Sequence, residues 1–506
     1  MKNKTALVFL YFCDHMAIDV ALSKYKEGYE LLFVGCDKTI GICHPNPIGN
    51  RLYCDFCKWN MNKQVHSFFN DNHIPYKHLS IRDLITPEIK ANANKLTFRY
   101  NSVKDLKSII YKDVEIGYGA FSTYVSFTRN ITPSINAAFH EYIDNLLRSE
   151  VMMIDAIEGY LKLINPDLVI FHNGRFNNVK PFLGLCERHQ IDFIATESQI
   201  LDNGQLCEDD FYNISPHSID AISEKMDKAW VNAGEKRTEI GNSFFENRRK
   251  GKRAGDIVYT AKQKDGELPN NFTRGVHNIA IFNSSEDEFF AISKEYDEGV
   301  MFPNQYDALK MIFDHYKGRE DYHFYLRIHP NLGNVPYLSH MSLYTLVYDN
   351  VTIIPPYASV SSYALMEACE KVIVFNSTMG VESAYWGKPV IALSHCMYSC
   401  LNVEYEPKST DELFELINNE NLRPINNKEA CLKAACYLMG YHTKEYKNIS
   451  PYYYRWKFLG QEFRGTSLYT LFGSRKIYSF AEKCLFYSFV FSKKCRRYWK
   501  IASLTK

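Results

Sequence analysis

The chain reads as an α/β protein built from two doubly wound domains. Short apolar runs of strand length alternate with longer amphipathic stretches, which is how a parallel sheet wrapped by helices looks in sequence. The alternation occurs twice, in separate halves of the chain. With 506 residues, 46% of them apolar and 23% charged, there is material for two substantial cores, and disordered and fibrous classes are excluded.

The first series of strands runs Ala6–Phe12, Leu31–Val34, Leu168–His172 and Phe193–Thr196, with amphipathic stretches such as Ser134–Ile164 between them. The second runs Asn278–Phe282, Phe324–Ile328, Val351–Ile354, Val372–Phe375 and Val390–Leu393. Residues 1–245 and 276–424 are therefore expected as the two domains. Between them, residues 246–275 carry Arg248, Arg249, Lys250, Lys252 and Arg253 with few apolar residues, and read as a linker or surface loop. Residues 425–474 read as a helical segment packing across both domains, and residues 475–506 as a separate tail.

Composition narrows the function classes. Lys and Arg number 59 against 58 Asp and Glu, so the whole chain gives no argument for nucleic acid as a partner. The tail differs: from Arg475 to Lys506 there are nine basic residues and one acid, Glu482, interleaved with aromatic side chains such as Tyr478, Phe486, Phe489 and Trp499. That pattern suits a helix on an anionic membrane surface, rings in the interface and cations on the headgroups; the alternatives are a solvated or domain-packing helix and, more weakly, RNA binding. The run Ala6–Phe12 stops at Asp14 without a small-residue cleavage site, too short for a secretory signal. The longest uncharged run, Asn350–Met366, contains Pro355 and Pro356 and falls short of the roughly 20 apolar residues of a spanning helix. Fourteen cysteines without an export signal then point to reduced thiols in the cytoplasm, with the protein peripheral on the inner face of the cell membrane.

Ligands of open parallel sheets sit beyond the carboxyl ends of the strands. Four strand ends of the second series carry suitable chemistry: Asn283-Ser284-Ser285-Glu286, Arg327-Ile328-His329-Pro330, Pro355-Pro356-Tyr357, and Asn376-Ser377-Thr378-Met379-Gly380-Val381-Glu382. Ser377 and Thr378 can cap a helix, Gly380 lets a ligand approach its first turn, and Glu382 lies too far along for a capping box, leaving it free for ribose hydroxyls. The combination reads as a nucleotide site.

At these residues the chain resembles the bacterial capsule polysaccharide biosynthesis glycosyltransferases. Arg327-Ile328-His329-Pro330 resembles their Arg/His-Pro motif, and Asn376-Ser377-Thr378 through Glu382 to Gly387-Lys388-Pro389-Val390 resembles their Ser/Thr, Glu, Gly-Lys-Pro segment. Ser284-Ser285-Glu286 matches the serine pair after the first strand, and Asn173-Gly174-Arg175-Phe176 an Asn-Gly-Arg element of some members. The resemblance implies a GT-B fold, two Rossmann-like domains facing a cleft, followed here by the C-terminal helical tail. It implies a nucleotide-sugar donor held by the second domain, with His329 on donor phosphate, Ser284, Ser285, Ser377 and Thr378 assisting and Glu382 near the nucleoside. Related sialic acid transferases keep an acidic-acidic-Gly motif in the first domain. The one such triplet here, Asp297-Glu298-Gly299, lies in the second and reads as ordinary surface.

No Asp-x-Asp occurs, so no cofactor is expected for catalysis, and Arg327, protonated His329 and the helix start at Thr378 are expected to meet the charge of the leaving phosphate. On the acceptor side, the strand ending His172-Asn173-Gly174-Arg175 neighbours the strand ending in Glu197. Glu197 or His172 could take the proton of an acceptor hydroxyl, Asn173 and Arg175 could orient a glycan or lipid-linked glycan, and His217 is a further candidate; alternatively Glu197 and Arg175 pair with each other. Cys36, Cys43, Cys54 and Cys57, spaced C-x6-C-x10-C-x2-C, could close a structural zinc site or be buried thiols.

The expected activity is transfer of a sugar from a nucleotide-activated donor to a growing surface polysaccharide or lipid-linked glycan. The alternatives are a CDP-polyol phosphotransferase, a nucleotide-sugar epimerase, or a non-catalytic capsule assembly or export factor. The tail makes its own prediction: deleting Arg475–Lys506 should move the protein from the membrane to the soluble fraction on cell fractionation, and unchanged partitioning would remove the anchor.

Overall fold

The structure is a computed structural model that describes residues 4–10, 15–70, 72–200, 206–255, 258–333, 335, 338–445, 456–458 and 461–463. The tail from 475 onward lies outside the described residues. Among the described residues, no helix is long and apolar enough to cross a membrane.

Two sheets organise the chain. The first contains β1 (Thr5–Leu10), β2 (Glu30–Gly35), β3 (Tyr76–Ser80), β4 (Leu168–His172), β5 (Phe193–Ile200), β6 (Leu206–Tyr212) and, far later, β12 (Lys444–Glu445), in the spatial order β12-β6-β5-β4-β1-β2-β3. From β5 to β3 all pairings are parallel, while β6 and β12 add antiparallel edges. The second sheet is wholly parallel: β7 (His277–Phe282), β8 (Tyr322–Arg327), β9 (Val351–Ile354), β10 (Lys371–Val374) and β11 (Val390–Ala392), ordered β11-β10-β7-β8-β9. The two sheets, each wrapped by helices, are the two Rossmann-like, doubly wound α/β domains expected from the sequence.

Alternation along each central strand feeds a core on both faces. Leu7 and Phe9 of β1 face one buried cluster, Ala6, Val8 and Leu10 the other. In β7, Ala280 and Phe282 face one cluster and Ile279 and Ile281 the other. Strands buried on both faces read as continuous apolar runs, which is why the sequence located them. It missed β3, Tyr-Lys-His-Leu-Ser, an edge strand with two exposed residues and no such run. The helix within Ser134–Ile164 spans Ala137–Ile164, and Asn136 caps it by accepting from the Phe139 amide at 3.0 Å.

The stretch expected as a linker is something else. It begins inside helix Arg237–Arg249, whose Phe244 and Phe245 are buried in the second domain's core, so the boundary expected at 245 falls within an element. Beyond it the chain is bonded along the second domain: Gln263 Oε1 accepts from the Ser362 amide at 2.7 Å, the Ser361 amide donates to the Glu267 carbonyl at 2.8 Å, and the Thr273 amide to Tyr325 Oη at 2.9 Å. Backbone partners replace the apolar pattern that sequence reading relies on. Helix Lys428–Leu438 packs on helices Ile219–Asn232 and Arg237–Arg249, after which the chain returns to the first sheet as β12. A short hairpin, β13 (Trp456–Phe458) and β14 (Gln461–Phe463), follows.

Close approach of backbone fixes one glycine. Gly117, at the start of helix Ile116–Thr128, has no room for a side chain, because a Cβ there would lie 1.9 Å from the Leu106 carbonyl oxygen. Gly117→Ala is expected to destabilise the first domain by about 1–3 kcal/mol, read as an earlier urea midpoint; an unchanged midpoint would mean that the two segments separate freely.

Candidate functional site

In both sheets the strand order reverses near the centre, between β1 and β4 in the first and between β7 and β10 in the second, and the candidate residues lie on these strands' ends and on those of the neighbouring β5 and β8. In the second domain, Arg327, His329, Ser377, Thr378 and Glu382 line one cavity, together with Arg248 and Asn283.

Arg327, the last residue of β8, is 3% exposed. Its Nη1 donates to the Pro355 carbonyl at 3.2 Å and Nη2 to the Ala358 carbonyl at 3.1 Å, while Nε has no partner. Burial lowers its pKa to about 10, which leaves it charged at neutral pH. Among the described residues no carboxylate pairs with it. Asn283, 1% exposed, receives the His329 amide on Oδ1 at 2.7 Å, and its Nδ2 has no acceptor.

Four expectations at this cavity are corrected. Glu382 is not free for a ligand: it is 1% exposed, receives Arg248 Nε at 3.1 Å and accepts the Tyr363 hydroxyl. A carboxylate this buried requires such partners. His329 is not protonated, because burial, with Arg129 and Arg327 nearby, pulls its imidazole down to about 4. Its Nδ1 accepts from the Asn331 amide at 3.2 Å, so the proton resides on Nε2, a neutral donor. The space at Gly380 belongs to Tyr398, whose hydroxyl would be 2.0 Å from a Cβ there and donates to the Ser377 carbonyl at 2.6 Å. Thr378 precedes helix Met379–Tyr385 without capping it; its Oγ1 lies 3.4 Å from Arg248 Nη2.

Ser284 and Ser285 lie elsewhere. After β7 the chain turns toward the first domain: Ser284 bonds to Gln305, and Ser285 Oγ accepts from Asn331 Nδ2 at 3.1 Å and lies 3.4 Å from Arg129 Nη2. Arg129 also holds Asp287 with two contacts, at 2.7 and 3.1 Å.

In the first domain, Asn173 and Gly174 follow β4 with left-handed backbone, φ 66° and 86°. This turn brings Asn173 to Glu197 and His217. Its Nδ2 donates to Glu197 Oε1 and lies 2.9 Å from His217 Nε2, which is 3.5 Å from Glu197 Oε1. Burial alone would raise the Glu197 carboxyl, but the His172 and His217 rings and the Asn173 amide outweigh it and hold it at about 2. Such a carboxylate is a weak base and a strong anchor for an imidazole. Arg175 does not pair with Glu197. Its Nε donates to Ser122 Oγ at 2.9 Å and its Nη1 to the Glu288 carbonyl at 3.2 Å, across the domain boundary.

A continuous polar seam results. Asn173 Oδ1 receives the Arg175 amide at 3.1 Å, Arg175 reaches Glu288, Glu288 Oε1 receives Asn331 Nδ2 at 2.8 Å, and the Asn331 amide donates to His329. The Asn173 turn of the first domain and the His329 loop of the second are thus joined by one chain of hydrogen bonds.

Cys36, Cys43, Cys54 and Cys57 line one small cavity, yet among the described residues no group of three or more His, Cys, Asp or Glu side chains is arranged to hold a metal ion. Burial raises the Cys36 thiol to about 11 and pushes up Cys43, so they are protonated. Cys54 Sγ receives Asn46 Nδ2 at 3.1 Å. The neighbouring His44 stacks on Phe176 at 3.6 Å.

No protein-family model matches the chain, and no curated protein matches it. Among solved structures it is similar to the KpsC beta Kdo 2,7 transferase of Thermosulfurimonas dismutans, with 14% identity over 55% of this chain and 79% of that one, at a TM-score of 0.31. It is also similar to the UDP-GlcNAc 2-epimerase of Neisseria meningitidis bound to UDP-GlcNAc, with 11% identity over 85% and 94% at 0.22. A third is the Streptomyces glycosyltransferase SsfS6 complexed with thymidine diphosphate, with 10% identity over 86% and 95% at 0.22. Likenesses this distant assign neither activity nor substrate to the chain.

Sequence reasoning passed over Arg248, Glu288 and Asn331. Arg248 sat in a basic run with no apolar period, and the other two act through contacts between segments far apart in sequence. Asn283 was visible beside the serine pair.

The His329 proton has a measurable consequence. The unfolded chain takes it up near 6.5 and the folded chain only near 4, so stability is present above 6.5 and declines as pH falls through that interval. Compared with His329→Asn, the wild type should lose urea stability between pH 7 and 4.5; parallel pH profiles for the two proteins would contradict the buried neutral imidazole.

Proposed function

We propose that the chain transfers a sugar from a nucleotide-activated donor to a glycan or lipid-linked glycan acceptor, with the donor phosphates in the Arg327 cavity and the acceptor hydroxyl beside Asn173, Glu197 and His217. The observation that carries this reading is the buried Arg327 guanidinium without a carboxylate. Buried charges are normally paired. Glu382, the acid of this cavity, is already committed to Arg248. Two guanidinium groups against one carboxylate leave a positive charge, and the unpartnered Arg327 Nε and Asn283 Nδ2 are two donors in want of acceptor oxygens. A phosphate or diphosphate supplies both the charge and the oxygens.

The chemistry follows from the two sides of the gap. The acceptor oxygen attacks the anomeric carbon as the bond from that carbon to the donor phosphate breaks. His217, its ring fixed by the Glu197 carboxylate and the Asn173 amide, receives the hydroxyl proton. The electron pair of the broken bond stays on the leaving phosphate, where Arg327 and the Nε2 proton of His329 meet its charge.

Thermal unfolding with CMP, CDP, UDP, TDP and GDP tests the reading, since a ligand at 100 times its Kd stabilises the fold by about 2.7 kcal/mol. One nucleotide should raise Tm, with Arg327→Lys weakening its binding about tenfold, as expected for losing the directed Nε–H contact and the guanidinium geometry. His217→Asn should lower transfer about 100-fold while leaving nucleotide affinity intact. No shift with any nucleotide would point to an assembly factor.

A further inference from the structure

We infer that the large cavity between the two domains is a binding site for the acyl or prenyl chain of the acceptor; this rests on the transfer reading above. The cavity measures about 590 Å³, within the roughly 300–1,000 Å³ of small-molecule sites. Residues Val103–Tyr118 of the first domain and Glu286–Gln305 of the second contribute its walls, distinct from the Arg327 cavity.

What the walls offer a ligand is apolar. The polar groups among them are largely engaged with each other: Lys107 Nζ donates to Asp297 at 2.8 Å and lies 4.2 Å from the Phe290 ring centre, Tyr118 Oη donates to Asp297 at 2.7 Å, and Glu286 Oε1 receives the Gln305 amide at 3.0 Å. Burial raises the Glu286 carboxyl to about 8, so it adds no charge at neutral pH. Asp297, expected as ordinary surface, is instead part of this wall. Phe289, Phe290, Phe302, Phe375, Val300 and Leu393 supply the remaining surface. Among these wall residues Ser394 Oγ is a buried polar atom without a partner, so a sugar or nucleotide placed there would leave most of its hydroxyls against apolar surface, at a cost a hydrocarbon chain does not incur. Phe289 and Phe290 of the wall follow Glu288, whose carbonyl receives Arg175 Nη1 at 3.2 Å, so the cavity adjoins Arg175 and the proposal places the polar end of the chain on that side.

The test uses the full chain, no donor, and alkyl β-glucosides of six, eight and ten carbons below their micelle concentrations, with glucose as control, by calorimetry. Affinity should rise about fourfold per methylene, the increment of one buried CH2. Ile110→Asp, at a cavity residue that is 60% exposed and outside the core, should lower decyl glucoside affinity at least tenfold, and Phe302→Trp, which fills the space, should lower it too. Nucleotide-induced Tm shifts should stay unchanged in both variants. A flat chain-length series, or variants that bind as the wild type does, would overturn the inference and mark the cavity as a gap between domains. Loss of the nucleotide shift alone, with the alkyl series intact, would count against the transfer reading and leave the apolar site standing.

Discussion

A guanidinium buried without a carboxylate sets the terms for the second domain's cleft. Arg327 ends a central strand, and the carbonyls of Pro355 and Ala358 fix its position in the loop after β9. Those neutral acceptors hold the group without cancelling its charge. The acid that could cancel it, Glu382, is bound by Arg248 from a helix more than a hundred residues earlier and by Tyr363. The same positive field helps drive the proton from His329, whose remaining N–H serves as a donor. Charge, orphan donors and a neutral imidazole therefore belong to one electrostatic arrangement.

Three charged side chains of the first domain reach across the domain boundary. Asp287, Asp297 and the Glu288 carbonyl on the second domain receive Arg129, Lys107 and Arg175 from the first. These contacts keep carboxylates out of the Arg327 cavity and leave a seam of hydrogen bonds from Asn173 to His329. The left-handed turn at Asn173 and Gly174 starts the seam, since it aims the amide of Asn173 at Glu197 and His217 while the next residues reach over the gap.

Beside the seam the chemistry changes. In the interdomain cavity Lys107, Tyr118 and Asp297 are tied to one another beside aromatic rings, whereas the Arg327 cavity holds the unpartnered donors Arg327 Nε and Asn283 Nδ2. Two cavities of opposite character, one apolar and one charged, thus sit in the same molecule.

Apolar runs long enough to be buried on both faces made β1, β2, β4, β5 and β7–β11 legible, and with them the strand ends where His172, Asn173, His329, Ser377 and Thr378 sit. Edge strands such as β3 carry no such run and were not legible. Nor were partnerships: whether Glu382 faces a ligand or Arg248, whether His329 carries a charge, and whether Gly380 makes room for substrate or for Tyr398. Chain periodicity records which residues leave water, because that is a property of each segment alone. Protonation and pairing depend on groups brought together from opposite ends of the chain, and only their distances in the folded molecule decide them.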